Sequence, residues 1–301
     1  MQDLRVVFLG TGAAAPSPQR NVAAVAMAFD GRALLFDCGE ATQHQLMRAP
    51  LRPGSIETIC ITHLHGDHLY GLPGLIASLG LYGRERPLTL IGPRGLAAFV
   101  KSIPFLGAPY DVHLQELDEV EQVVLRGEGF RLEAAPLDHR VPCVGFALIE
   151  DDRPGLFDVD RARALGIPEG PLFGNLQRGE DVTLADGRRI APHDVLGVAR
   201  AGRRVAYCTD TRPCAGAIAL ARDAALLIHE ATYANDLAAE APARGHSTAE
   251  DAARIAKEAN ARRLFLTHFS PRYTEIAPLL DEARAIFPAT EAAVDFGEVR
   301  V

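Results

Sequence analysis

The chain has 301 residues, 48% of them apolar, which fits one large or two small domains with a sizeable core. Its net charge of −8 speaks against a general nucleic-acid binder, because neutralising phosphates takes clustered Lys and Arg, although a local basic patch stays open. No apolar run approaches the roughly 18 residues that span a membrane, and Met1 to Arg5 enters a strand without a secretory signal, so a cytoplasmic protein with no membrane partner is expected.

Residues 4–10 read as a strand, followed by a Gly- and Pro-punctuated loop over 11–21. Strands over 22–29 and 33–37, joined by Asp30-Gly31, make a hairpin, and 41–47 looks helical. The β-branched run 56–62 is a strand, after which Leu69, Leu72, Leu75, Ile76 and Leu79 follow helical spacing. Next come a strand over 88–91, a helix over 94–102, and strands over 112–117, 122–125, 130–135 and 144–149. Between 151 and 202, Gly and Pro break every long periodic run. This stretch reads as an inserted arm with little core of its own, and its length favours a functional role over an ordinary loop.

The α/β rhythm then resumes, with strands over 205–209, 226–229 and 264–267 and helices over 215–222, 247–260 and 276–286. A last strand is expected over 292–296. Ser247 or Thr248 can cap the helix over 247–260, with Glu250 supplying the carboxylate of a capping box. Five dispersed cysteines, none in a C-x-x-C pair, are expected to be free thiols.

Metal-binding side chains concentrate where the strand over 56–62 ends. His63, His65, Asp67 and His68 form H-x-H-x-D-H, and extended backbone would place His63 and His65 on one side. Gly66 then hinges the chain toward a helix. Four metal-competent groups thus leave one strand-to-helix turn. Imidazoles and carboxylates suit Zn(II), with Mn(II) and Fe(II) as less specific choices. The strand before and the helix after set this turn apart from a polar surface loop.

His139, Asp210, His229, Glu230, His246 and His268 occupy further expected strand ends or helix starts, where α/β proteins gather ligands. Together these groups suffice for two metals. His63, His65 and His139 are assigned to one, Asp67, His68 and His268 to the other, with Asp210 bridging. Two metals about 3.5–4 Å apart suit in-line displacement at a phosphodiester. Asp67 is placed to orient the attacking hydroxide. His246, in G-H-S at a helix start, is placed to donate a proton to a leaving oxygen. His229 and Glu230 are expected to orient His246 or a metal ligand. His44, His113 and His193 lack such a setting and are read as structural or surface groups.

H-L-H-G-D-H after I-T looks like the signature of metallo-β-lactamase-like hydrolases. Further stretches narrow the likeness: F-L-G-T-G-A at 8–13, F-D-C-G-E-A-T-Q-H-Q at 36–45, H-G-D-H-x-x-G-L-P-G at 65–74, T-D-T-R at 209–212, H-E-A-T at 229–232, G-H-S-T at 245–248 and L-T-H-F-S-P-R-Y at 266–273. These resemble the tRNase Z (ribonuclease Z) family, endonucleases that mature tRNA 3′ ends. G-I-P-E-G-P at 166–171 and G-x-x-V-T-L-x-D-G-R at 179–188 are similar to that family's flexible arm, which grips the tRNA elbow.

The resemblance covers nearly the whole chain. It implies an αβ/βα sandwich with an inserted flexible arm at about 152–200, two zincs per subunit, and a homodimer in which one subunit's arm holds the precursor tRNA cut by the other. It also implies the seven ligands assigned above, with Asp67 as general base and His246 as proton donor. The first loop departs from the family's P-x-K-x-R-N, which senses the tRNA 3′ end. Pro18 stands where lysine would be, while Arg20 and Asn21 keep the last two positions. How precursors that already encode CCA are treated is left open by that departure.

Other readings compete. A related hydrolase of the same fold, a 3′ exoribonuclease or a small-molecule phosphodiesterase or ester hydrolase, needs no extended arm. A metal-free binding module would not be expected to keep every ligand. From 150 to 204 the chain carries ten acids and nine arginines, so the arm is not a basic tentacle. If it binds RNA, a few arginines such as Arg178, Arg188 and Arg189 must face the phosphates.

Overall fold

A computed structural model describes residues 3–103, 108–118 and 121–301; the lead-in at Met1 and Gln2 lies outside them. The chain divides into two compact units, Met1–Ile149 with Arg204–Val301, and Glu150–Arg203.

The first unit opens with β1 (Arg5–Gly10), β2 (Ala24–Phe29), β3 (Arg32–Phe36), α1 (Thr42–Arg48), β4 (Ile56–Cys60), α2 (Gly66–Leu69), α3 (Leu72–Leu81), β5 (Leu88–Pro93), α4 (Leu96–Ser102), β6 (Val112–Leu117), β7 (Gln122–Gly127), β8 (Phe130–Leu137) and β9 (Cys143–Glu150). The second unit holds α5 (Val159–Ala164), α6 (Pro171–Gln177), β10 (Val182–Thr183) and β11 (Arg189–Ile190). The first unit resumes with β12 (Arg204–Cys208), α7 (Ala215–Ala221), β13 (Leu226–Glu230), α8 (Ala241–Arg244), α9 (Ala249–Glu258), β14 (Leu264–Thr267), α10 (Ala277–Ile286), β15 (Thr290–Ala292) and β16 (Glu298–Arg300).

Among the described residues the large unit has two sheets, ordered β16-β1-β2-β3-β4-β5-β6 and β15-β14-β13-β12-β9-β8-β7. Each sheet has a parallel part, β3 to β6 in one and β12 to β15 in the other. Parallel strands end at the same edge, and most of the loops that carry the functional side chains leave from those ends. Period-two alternation sorts each strand between two cores. Val205 and Tyr207 face the aromatic layer between the sheets, where Phe36 meets Phe146 at 5.8 Å and Tyr207 at 5.9 Å between ring centres. Ala206 and Cys208 face the other way and pack under α7, α9 and α10. Helices α1 and α3 cover the outer face of the first sheet. Burial on both faces explains the near-continuous apolar strands. The five cysteines are free, and four of them are buried. No described helix is long and apolar enough to cross a membrane.

Three local expectations need correction. The strand expected over 292–296 is instead the short β15, a turn, and β16. The chain reverses because Asp295 turns inward to accept from Thr11 Oγ1 at 2.8 Å and Asn21 N at 2.7 Å, and Phe296 then takes a left-handed φ of 67°. Helix α9 is capped by Thr248 with Asp251, not with Glu250. Glu250 lies one residue short of that capping position and pairs with Arg254 one turn on. Thr248→Ala removes the acceptor for Asp251 N and is expected to lower stability by about 0.5–2 kcal/mol, measured as a reduced urea midpoint at unchanged slope.

The third correction concerns residues 150–203. The unit has a core of its own, formed by Ala162, Ile167, Leu176, Val182, Leu184, Ile190 and Val195, with Phe157, Leu165, Leu172 and Phe173 packed around it. Its elements are two to seven residues long. Apolar positions on such short pieces show no long period, although they meet in space.

Candidate metal centre

The centre is assembled from loops at strand ends. Asp37 follows β3, His63 and His65 follow β4, Asp67 and His68 begin α2, His139 follows β8, Asp210 follows β12 and His268 follows β14. Asp37, Asp210 and His268 take left-handed backbone, with φ of 58°, 52° and 57°. That conformation is uncommon outside glycine, though Asp and His tolerate it better than most residues, and it ends each strand sharply.

The seven assigned residues converge in two groups: His63, His65, His139 and Asp210, and Asp67, His68 and His268. In the first group His63 Nε2 is 2.9 Å from His65 Nδ1 and 3.6 Å from Asp210 Oδ2. His139 Nε2 lies 3.4 Å from His65 Nδ1 and 3.8 Å from Asp210 Oδ2. In the second, His68 Nε2 and His268 Nε2 are 3.2 Å apart, and each approaches Asp67 Oδ2, at 3.5 and 3.7 Å. Asp210 Oδ1 lies 3.3 Å from His68 Nε2 and 3.1 Å from His268 Nε2, so the two oxygens of Asp210 face different groups.

The surrounding hydrogen bonds decide which ring nitrogens carry hydrogen. Asp37 Oδ2 accepts from His68 Nδ1 at 2.8 Å. Thr62 Oγ1 donates to Asp37 and so accepts from His63 Nδ1 at 3.1 Å. The carbonyl of Gly245 accepts from His139 Nδ1 at 2.8 Å. Thr232 Oγ1 donates to Glu230 at 2.6 Å and accepts from His268 Nδ1 at 3.0 Å. Each of these four imidazoles therefore aims an Nε2 lone pair inward, toward other lone pairs and carboxylates. Such an arrangement repels itself unless a cation sits in it, and borderline-soft nitrogen with carboxylate oxygen is a donor set for a divalent transition metal. The residues fit a metal centre.

The charges of the cluster act strongly on one another. Burial opposes charge on His68, but Asp210 and Asp37 outweigh it and raise its pKa well above the usual value. Burial pushes His63 well below, helped by the facing His68. Burial would raise Asp67, yet the His268 and His68 imidazoles beside it hold it far below the carboxylate range. The backbone N–H of Ala14 also donates to Asp67 Oδ2 at 2.8 Å.

His246 stands between the groups, its ring 5.7 Å from His268 and 5.3 Å from His139, and with Asp210 and His268 it makes a third set close enough to share an ion. Its Nδ1 donates to Glu230 Oε1 at 3.0 Å. Glu230 is fully buried and held by Thr211 N, Thr232 Oγ1 and Ser247 N. Burial works against charge on His246, and Glu230 overcomes it, so the imidazole keeps its proton to higher pH than usual.

His229 does not share that position. Alternation along β13 places it on the helix-packed face with Leu227, while Glu230 turns to the site. Its Nδ1 donates to the Glu230 carbonyl at 2.8 Å, and its buried Nε2 has no partner among the described residues. Of the pair expected to orient His246 or a metal ligand, Glu230 bonds His246 directly, while His229 bonds the Glu230 carbonyl.

Arg20 and Asn21 are engaged near the site. Arg20 donates to Thr11 Oγ1 at 2.9 Å and stacks over Phe269, next to His268, at 4.7 Å. Asn21 Nδ2 donates to the Glu40 carbonyl at 2.9 Å. In the second unit Arg178, Arg188 and Arg189 are exposed and ion-paired with Glu180, Asp186 and Asp181. His44, His113 and His193 are exposed and outside both groups. Sequence reasoning gave no role to Asp37, Thr62 or Thr232. The only signal for Asp37 was its place in F-D-C-G after a strand.

Ribonuclease Z of Acaryochloris marina is 46% identical over 97% of this chain and 96% of its own length. The chain belongs to the ribonuclease Z family. Within the family, Ribonuclease Z of Salinibacter ruber is 49% identical over 96% of this chain and 91% of its own, and Ribonuclease BN of Cronobacter sakazakii is 45% identical over 99% and 100%. Human tRNase Z, short form, is 32% identical and matches with a TM-score of 0.67 over 98% of both chains. The metallo-β-lactamase fold protein YhfI from Bacillus subtilis, 18% identical with a TM-score of 0.72 over 100% of both chains, shares the fold. Family models match two stretches, Anti-Pycsar protein Apyc1 over residues 4–102 and Beta-lactamase superfamily domain over 177–269. The fold is the metallo-β-lactamase sandwich, and this ribonuclease Z family member is an enzyme with a His/Asp cluster suited to divalent metal.

Proposed function

We propose that this protein is a zinc-dependent endoribonuclease that removes the 3′ trailer from precursor tRNA and leaves a tRNA 3′-hydroxyl. The observation that carries the reading is near-full-length identity of 44–49% to proteins named Ribonuclease Z. The convergent His/Asp groups supply a matching chemistry.

In this reading His63, His65 and His139 would hold one Zn(II) ion and Asp67, His68 and His268 a second, with Mn(II) as a substitute and Asp210 offering one oxygen to each group. When bound, such ions supply Lewis acidity and make water acidic enough to act as a nucleophile near neutral pH. Asp67, fixed by the Ala14 N–H, orients the attacking water and takes its proton. Glu230 holds the His246 ring through Nδ1, which leaves Nε2–H to protonate the departing 3′-oxygen. Arg20 and Asn21 border the RNA 3′ end. The unit 150–203 is the tRNA-binding arm, and Arg178, Arg188 and Arg189 exchange their carboxylate partners for phosphates. The protein works in the cytoplasm as a homodimer, one subunit's arm holding the tRNA that the other cuts.

The test is to incubate the purified protein with a 3′-extended precursor tRNA and map both product ends. Expected are one internal cut, a 3′-hydroxyl on the tRNA and a 5′-phosphate on the trailer. Stepwise shortening from the 3′ end would instead mark an exoribonuclease. Metal analysis of protein purified without chelator should approach two ions per chain, as a dinuclear site requires. One ion, unchanged on adding zinc, removes the bridging role of Asp210.

A further inference from the structure

Tyr70 ends the short helix that carries the metal-binding loop. Its neighbour two residues back, His68, is fully buried, yet Tyr70 is 65% exposed. Two contacts hold the ring. A Cβ on Gly66 would come within 2.4 Å of it, so the glycine between His65 and Asp67 is what lets the ring seat against the loop backbone. Phe99 of α4 stacks alongside, with ring centres 6.5 Å apart and planes 17° from parallel. That separation lies within the range of aromatic pairs.

A single exposed aromatic is ordinary on a protein surface. This one is anchored on the backbone between two residues of the metal groups, and it keeps most of its area in water. We propose that Tyr70, backed by Phe99, is a stacking platform for an unpaired nucleobase of the RNA next to the scissile phosphodiester. The proposal rests on the reading of the protein as an RNA-processing enzyme and adds a residue that touches the substrate. An unpaired 3′ extension offers bases with free π-faces. Aromatic side chains beside a nucleic-acid path take such bases with little regard to sequence. A platform two residues from His68 would fix the strand's direction past the centre without reading its bases.

The test uses the full-length, metal-loaded protein and a precursor tRNA with 2-aminopurine on either side of the cut. Stacking on tyrosine quenches 2-aminopurine, so wild-type protein should quench one of the two positions on binding, a readout that needs no variant. Tyr70→Ala should abolish that quench and raise KM about 5- to 150-fold, the range for losing one base–aromatic stack. Tyr70→Phe keeps the ring and should retain both. The proposal is overturned if neither position is quenched, if Tyr70→Ala leaves quench and KM at wild-type values, or if Tyr70→Phe loses as much as Tyr70→Ala. A change in sedimenting mass as the sole effect of Tyr70→Ala would assign the ring to a contact with a second copy and also overturn it. Wild-type protein that does not cut the RNA at all overturns the functional reading, and the platform with it.

Discussion

His246→Ala lowers the rate of precursor-tRNA cleavage by about 10²- to 10⁴-fold, the usual contribution of a positioned general acid, while metal content stays at the wild-type value. The expectation rests on how the ring is held. Glu230 is buried and saturated with donors from Thr211, Thr232 and Ser247, so its carboxylate cannot drift, and it anchors His246 Nδ1 at 3.0 Å. Burial opposes the imidazolium, and the Glu230 charge overcomes it, which raises the pKa of His246. The proton is therefore kept to higher pH than on an ordinary imidazole and is lost as pH climbs past the raised value. Glu230→Gln removes the stabilising charge, so the alkaline fall in rate should move to lower pH.

The leaving group gives a second handle. A nitrophenolate needs little protonation as it departs, so His246→Ala should slow a nitrophenyl phosphodiester much less than RNA. Equal losses on the two substrates would make His246 a phosphate-positioning group. Loss of metal would make it a ligand.

Replacing residues 153–200 by a short Gly/Ser linker should sharply weaken binding of precursor tRNA and largely spare hydrolysis of a small phosphodiester. The segment removed lies within the compact unit Glu150–Arg203, which packs around its own core. Glu150 and Arg203 remain on either side of the linker, with Arg203 Nε donating to Glu150 Oε2 at 2.9 Å. The unit's surface ion pairs are exposed, and such pairs contribute only about 0–1 kcal/mol, so exchanging a carboxylate for a phosphate costs little. If Arg178, Arg188 and Arg189 each neutralise one phosphate, replacing all three by Ala should lower the slope of log K against log salt by about 2 to 3. Equal loss of both activities in a folded, metal-loaded deletion would make the unit structural.

What the sequence by itself determined is local. H-x-H-x-D-H between a β-branched run and a helical run marks a metal-binding turn because strand and helix periods are readable over a few residues. The remaining groups, from His139 to His268, stood out because each ends a strand or opens a helix, and parallel strands deliver such ends to one edge. The arm stood out through glycine and proline. Its core did not, because apolar residues on pieces of two to seven residues show no period.

Tertiary structure decided which groups touch. The bond from His68 to Asp37 joins residues 31 apart, that from His139 to the Gly245 carbonyl 106 apart, and the approach of His68 to His268 spans 200. These contacts assign the tautomers and aim the lone pairs, and no local pattern encodes them. His229 and Glu230 are adjacent in sequence and equally polar. The register of β13 turns one under a helix and the other into the site, because neighbours on a strand face opposite ways.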